Sequence, residues 1–172
     1  MSNPVNVIIV TGTMGAGKTT VMAEASDLLT AADIMHAAID LDGLGLACLP
    51  EELMANIAYR NLASVWSNYR ATGVEHLVLA NAVESQAVLN RIRGAVPEAK
   101  VVISRLRVSL PTAQARVRNR EPGMFQDKFV ARAVELEKIL DKAKLEDFSI
   151  QNDGGSITDL AREMLTRAGW MK

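Results

Sequence analysis

The stretch VNVIIVTGTMGAGKTT, residues 5–20, constrains this chain more than any other. Residues 5–10 are rich in β-branched side chains and too few for a helix. They stop at the Thr11-Gly12 turn, so they read as a buried parallel strand. After a glycine-rich loop, residues 18–31 read as a helix, so the chain opens as strand, tight loop and helix.

The rest of the chain repeats that alternation. Residues 35–40 form a second short strand ending in acid. Three breakers in LDGLGLACLP (41–50) predict a loop without regular structure. Between 51 and 71, Leu53, Ile57, Leu62, Val65 and Tyr69 recur at roughly helical spacing, which predicts an amphipathic helix. Strands are predicted at 76–81, 100–108 and 147–152. Helices are predicted near 84–95, from Pro111 to the Glu121-Pro122-Gly123 break, at 126–145, and after Ser156, which with Asp159 is placed to cap the last one. Five strands alternating with helices give an α/β domain of three layers around a mainly parallel sheet.

With 172 residues, one full core and a single domain are expected, with a substrate loop near 41–50 and a lid near 121–127. The formal net charge is -1 and no block of like charges occurs, which argues against charge-driven binding of nucleic acid or anionic membrane. Apolar stretches are strand-sized and the N-terminus lacks a positive region, so neither signal peptide nor membrane span is expected, and a cytoplasmic protein is. The single Cys48 allows no internal disulfide and reads as a buried small hydrophobe, with a reactive thiol as the alternative.

Gly12, Gly17, Lys18 and Thr19 fit G-x-x-x-x-G-K-[ST], the Walker A or P-loop pattern, in the strand-to-helix context that it requires. Glycines let successive backbone N–H groups turn inward around an anion, and the following helix adds the positive end of its dipole. Residues Gly12, Thr13, Met14, Gly15, Ala16, Gly17, Lys18, Thr19 and Thr20 are therefore expected to cradle a nucleoside triphosphate. Lys18 should reach its outer phosphates, and the Thr19 hydroxyl should ligate the magnesium that bridges them.

Many NTPases of this kind carry an aspartate at the end of a strand to hold the magnesium shell. Here the third strand ends in Asn81, which brings no charge. Asp40 and Asp42, in IDLDG after the second strand, are the candidates instead. A spacing of two on extended chain puts both carboxylates on one side, so that Asp40 can serve the metal while Asp42 accepts a proton from an attacking hydroxyl.

Arg116 and Arg120 share a helix face, and a guanidinium so placed can stabilise the charge that spreads over a moving phosphoryl group. Arg118 is expected to form an ordinary ion pair with Glu121. Arg105 and Arg107 either point into a ligand crevice or are solvated at the sheet edge. His36 and His76 read as structural, and Trp66, Tyr59 and Tyr69 as core or groove packing. Arg60 and Asn61 are open to substrate contact.

GTMGAGKT, DLD after the second strand, the RVRNRE helix before a short break, and SIQNDGGSITDLA as closing strand and helix together resemble the P-loop small-molecule kinases of the nucleoside-monophosphate-kinase-like group. Shikimate, gluconate and adenylylsulfate kinases and antibiotic phosphotransferases are similar in this way. The resemblance implies strand order 2-3-1-4-5 and a mobile lid after the fourth strand. It also implies that Arg120 acts on the phosphates, that Arg116 lies against the adenine, and that Asp40 and Asp42 divide metal shell and acceptor hydroxyl between them. A matching set of arginines for a shikimate carboxylate is not found, and the segment EPGMFQD carries no basic residue.

The function expected is a magnesium-dependent ATP phosphotransferase acting on a small-molecule acceptor, with Lys18, Asp42 and Arg120 as catalytic groups. The alternative is a nucleotide-binding switch or slow NTPase with a protein partner. A nucleic-acid end-kinase is disfavoured by the charge balance.

Overall fold

The computed structural model describes residues 4–172. Five strands, β1 (Val5–Thr11), β2 (His36–Asp40), β3 (His76–Ala80), β4 (Ala99–Arg107) and β5 (Phe148–Gln151), form one sheet in the order β2-β3-β1-β4-β5. Every neighbouring pair is parallel, with Ile8 of β1 opposite Val78 on one side and Val102 on the other. The helices are α1 (Lys18–Ala31), α2 (Leu41–Leu44), α3 (Glu51–Ala71), α4 (Gln86–Ala95), α5 (Leu110–Arg120), α6 (Gln126–Ala143) and α7 (Ile157–Arg167).

Side chains alternate across a strand, so β1 serves two cores at once. Val7 and Ile9 pack with Leu62 and Trp66 of α3 and with Leu89 and Ile92 of α4. Ile8 and Val10 face the other way, onto Leu29 of α1 and Leu160, Met164 and Leu165 of α7. Burying a side chain of this kind stabilises the fold by about 1.5–3 kcal/mol. A sheet covered on both faces explains why β1 reads as an unbroken apolar run.

Caps set the helix boundaries. Ser85, Ser109 and Ser156 accept hydrogen bonds from the backbone N–H of Val88, Thr112 and Asp159, at the starts of α4, α5 and α7. The segment predicted as irregular after β2 begins instead with the single turn α2, because the Asp40 carboxylate accepts from the Asp42 N–H and caps it. Asn61 fixes the far side of that turn by donating from Nδ2 to the Leu44 carbonyl at 2.7 Å. Arg60 is exposed on α3.

Several other expectations change in the folded chain. Cys48 is exposed, not buried, because the loop after α2 carries no apolar face that packs. Trp66 belongs to the core, whereas Tyr59 is half-buried and Tyr69 exposed. His36 bonds to Ser26 and the Ile34 carbonyl, and His76 meets the Trp170 ring edge-on at 4.7 Å, so both are structural.

The largest correction concerns Arg105 and Arg107. Neither faces a ligand crevice, and Arg105 is 1 % exposed, so edge solvation fails for it as well. Its guanidinium reaches Glu137 and Asp141 on α6 at 2.9 Å each and Glu146 at 3.2 Å, while Arg107 reaches Asp141 at 3.0 Å. The pair bolts α6 to β4.

Burial opposes ionisation of Asp141, but the Arg105 and Arg107 guanidiniums outweigh it and hold the carboxyl below its ordinary pKa. A depressed carboxyl adds stability in full above the unfolded value of about 4, and that stability is lost as pH falls through the folded value. Urea denaturation should therefore show a steeper loss of stability below about pH 4 for the wild type than for Asp141→Asn. Arg105→Ala, which leaves half-buried Glu146 without this partner and Glu137 and Asp141 with Arg107 alone, should cost about 3 kcal/mol at neutral pH. Superimposable acid limbs would contradict the clamp.

Candidate active site

The loop between β1 and α1 owes its shape to neighbours that glycine alone can tolerate. Gly15 has φ +80°, and a Cβ there would lie 2.4 Å from the Ala113 carbonyl oxygen. Gly17 has φ +94°, and a Cβ there would lie 2.7 Å from the Asn152 amide nitrogen. Both positions therefore exclude side chains twice, by backbone and by contact.

Side chains outside the loop hold it in place. Asn152, buried just beyond β5, donates from Nδ2 to the Ala16 carbonyl at 2.8 Å. Thr13 turns its hydroxyl away from the loop's interior and donates to the Ala133 carbonyl of α6 at 2.5 Å. Met14 packs on Val117, Val130 and Ala133, and Arg116 Nη1 donates to the Gly15 carbonyl at 3.3 Å. Of the predicted loop contacts, Thr13 and Ala16 thus act by backbone only, their side chains being buried.

A small cavity of about 80 Å³ opens inside the loop, lined by Met14, Gly15, Gly17, Lys18, Thr19, Thr20, Asp42 and Arg120. Lys18 Nζ donates to the Gly12 and Thr13 carbonyls at 3.0 Å each. Thr19 Oγ1 donates to Asp40 Oδ2 at 2.5 Å, and Asp40 Oδ1 accepts from the Asp42 N–H at 3.1 Å. The two acids meet through the α2 cap and not through an extended spacing of two: Asp40 ends β2 while Asp42 stands in the first turn of α2.

Lys18, Asp42 and Arg120 are brought to one cavity, and Asp40 is brought to Thr19. Arg116 is tied to the loop itself. Arg120 is exposed and donates from Nε to Glu121 at 2.9 Å, so Glu121 pairs with Arg120 and not with Arg118 as expected, because α5 ends between them and turns the Glu121 side chain back. Asn81 is buried at the end of β3 with its Nδ2 lacking a hydrogen-bond partner among the described residues.

Burial and charge act against each other here. Burial lowers the Lys18 ammonium pKa, Asp42 pulls it back up, and Arg120 lowers it again. Burial likewise pushes the Asp42 carboxyl above its ordinary range, with Lys18 opposing and Asp40 adding to the rise. Glu84, close enough to act on both, is held by Arg132 at 2.6 Å. Sequence reading missed Asn152, Glu84 and Arg132. A polar residue directly after β5 and an acid three beyond Asn81 were the only signals.

No family model matches this chain, and no curated protein resembles it in sequence. Solved structures do. An APS kinase of Mycobacterium tuberculosis, in complex with AMPPNP and APS, superposes with TM-score 0.64 at 19% identity over 95% of this chain and 96% of its own. A shikimate kinase of Acinetobacter baumannii, in complex with shikimate, gives 0.61 at 21% identity over 96% and 93%. The chain has the fold of the P-loop small-molecule kinases. A tunicamycin resistance protein of Deinococcus radiodurans shares the same P-loop kinase fold, with TM-score 0.65 at 13% identity over 98% and 97%. Among the described residues, no helix is long and apolar enough to cross a membrane.

An ammonium whose pKa is lowered on folding costs stability at every pH below its unfolded value, so Lys18 weighs on the unliganded protein at neutral pH. Lys18→Met should therefore raise the unliganded thermal midpoint, measured by calorimetric scanning at pH 7. A lower midpoint would show that the carbonyl contacts of Lys18 outweigh its desolvation.

Proposed function

We propose that this chain is a magnesium-dependent ATP phosphotransferase acting on a hydroxyl of a small-molecule acceptor. The observation that carries this reading is the meeting of Lys18, Asp42 and Arg120 around one cavity inside the glycine loop, with Asp40 on the Thr19 hydroxyl. The fold shared with small-molecule kinases supports it.

In this reading the loop amides and Lys18 hold the outer phosphates of ATP, and Arg116 lies beside the adenine. Thr19 and Asp40 are paired hard oxygen donors of the kind that magnesium takes, directly or through water, so the residues fit that ion. When bound, magnesium supplies charge neutralisation at the phosphate oxygens. Asp42 takes the proton of the acceptor hydroxyl as its oxygen bonds to the γ-phosphorus, the bond from that phosphorus to the β–γ bridging oxygen breaks, and ADP leaves. A carboxyl held above its ordinary range is the better base, since a catalytic pKa nearer the working pH favours proton transfer.

Arg120 meets the charge on the moving group. In this reading residues 121–127, which follow the end of α5, serve as a lid and residues 41–50 as the substrate loop of a single kinase domain. Closure excludes water, so the acceptor and not hydroxide receives the phosphoryl group.

ADP release should rise when the right member of a panel of sugars, nucleosides, nucleotides and aminoglycosides is added. With that acceptor, Asp42→Asn should lower kcat by about a hundredfold or more while leaving the KM for ATP within a few-fold. Arg120→Ala should depress kcat by about a hundredfold or more, again with a smaller change in KM. Slow ADP release indifferent to every acceptor would favour a nucleotide switch instead, and normal transfer by Asp42→Asn would remove the base.

A further inference from the structure

Beside the phosphate cavity lies a second one of about 290 Å³, between the α2 segment and α3, and Asp42 lines both. Leu41, Leu46, Met54, Ala58, Tyr59 and Asn81 line it as well. Among the described residues no lysine, arginine or histidine lines it. Arg91 stacks over Tyr59 at 5.6 Å and donates to the Ala55 carbonyl, but is not one of the walls, and Arg132 is held by Glu84 and Glu135.

We infer that the acceptor is an uncharged small molecule with a free hydroxyl, seated in this cavity with its hydroxyl at Asp42 and the Asn81 amide as a polar anchor. The inference rests on the kinase reading and adds the acceptor's chemical class to it.

Charge excludes the other classes. An anionic body would meet no cation on these walls and would lie beside Asp42, because Lys18 and Arg120 line the neighbouring phosphate cavity and are committed there to the nucleotide in the kinase reading. A cationic body would find no spare anion: Asp40 is taken by Thr19 and the α2 cap, Glu84 by Arg132, and Asp42 is required for the hydroxyl. Either ion would lose its hydration without a partner, which a neutral body avoids.

One further observation points the same way. The Asn81 amide nitrogen is buried without a partner, and a buried donor left unpaired costs about 1–3 kcal/mol that a ligand oxygen can recover.

The test uses sets of three compounds on one aryl or cycloalkyl skeleton: the diol, the hydroxy acid and the amino alcohol. Their affinities for the protein loaded with magnesium and a non-hydrolysable ATP analogue are measured by ligand-observed NMR. In the sets that bind, the diol should bind at least about tenfold more tightly than either ion. Equal or tighter binding of an ion, or no binding by any diol, overturns the inference.

Ala55→Arg, an exposed change at the cavity wall, should bring the hydroxy acid to within about twofold of the diol, and Ala58→Trp should fill the cavity and abolish diol binding. Nucleotide affinity and the thermal midpoint, measured in parallel, identify any variant that has merely lost its fold. Diol preference unmoved by both folded variants would place the ligand elsewhere and overturn the inference. Diols that bind selectively yet are never phosphorylated support the cavity's selectivity and remove the kinase reading. Preferential phosphorylation of hydroxy acids removes this inference and leaves the kinase intact.

Discussion

The hydrogen bond from Asn152 to the Ala16 carbonyl ties the end of β5 to a loop that begins at the end of β1. Together with Thr13 on Ala133 and Gly15 against the Ala113 carbonyl, it holds the loop in a shape whose backbone at Gly12, Gly15 and Gly17 glycine can adopt and other residues resist. The loop is thus shaped by α5, α6 and β5, elements far away in the chain, before any ligand arrives. Preorganisation of this kind is what lets backbone amides stabilise an anion without reorganising around it.

The same loop carries an electrostatic cost. Lys18 and Asp42 are each pushed by burial toward their neutral forms and only partly rescue one another. Such an arrangement weakens the unliganded protein and is a common mark of a functional site. Elsewhere the chain pairs its buried charge: Arg105 is surrounded by three carboxylates, and the clamp it makes sets α6, which in turn holds Thr13 and Met14 of the loop. Loop geometry and the β4–α6 ion pairs therefore belong to one connected structure.

Most of the fold was legible in the sequence, because β-branched runs of strand length alternate with helical periodicity and serine caps mark three helix starts. The order of the strands was not periodic information; it came with the resemblance that the glycine loop and DLD carried. What periodicity could not show was long-range pairing. Arg105 reads as an end-of-strand cation, and only the packing of α6 reveals that it is buried and matched. The single turn α2 was hidden by Gly43 and Gly45, since its cap depends on Asp40 alone. In the site, Lys18, Thr19, Asp42 and Arg120 follow from motif and spacing, whereas Asn152 and Glu84 lie outside any motif and reach the loop region only through the fold.

Isothermal titration of the folded protein with Mg-ATP and Mg-ADP tests most directly whether the loop between Gly12 and Thr19 grips a polyphosphate. Saturable heat at one site per chain is expected for both nucleotides, and none for adenosine alone. Absence of heat with every Mg-nucleotide, on material that unfolds cooperatively, would contradict the assignment of this loop and every role built around it.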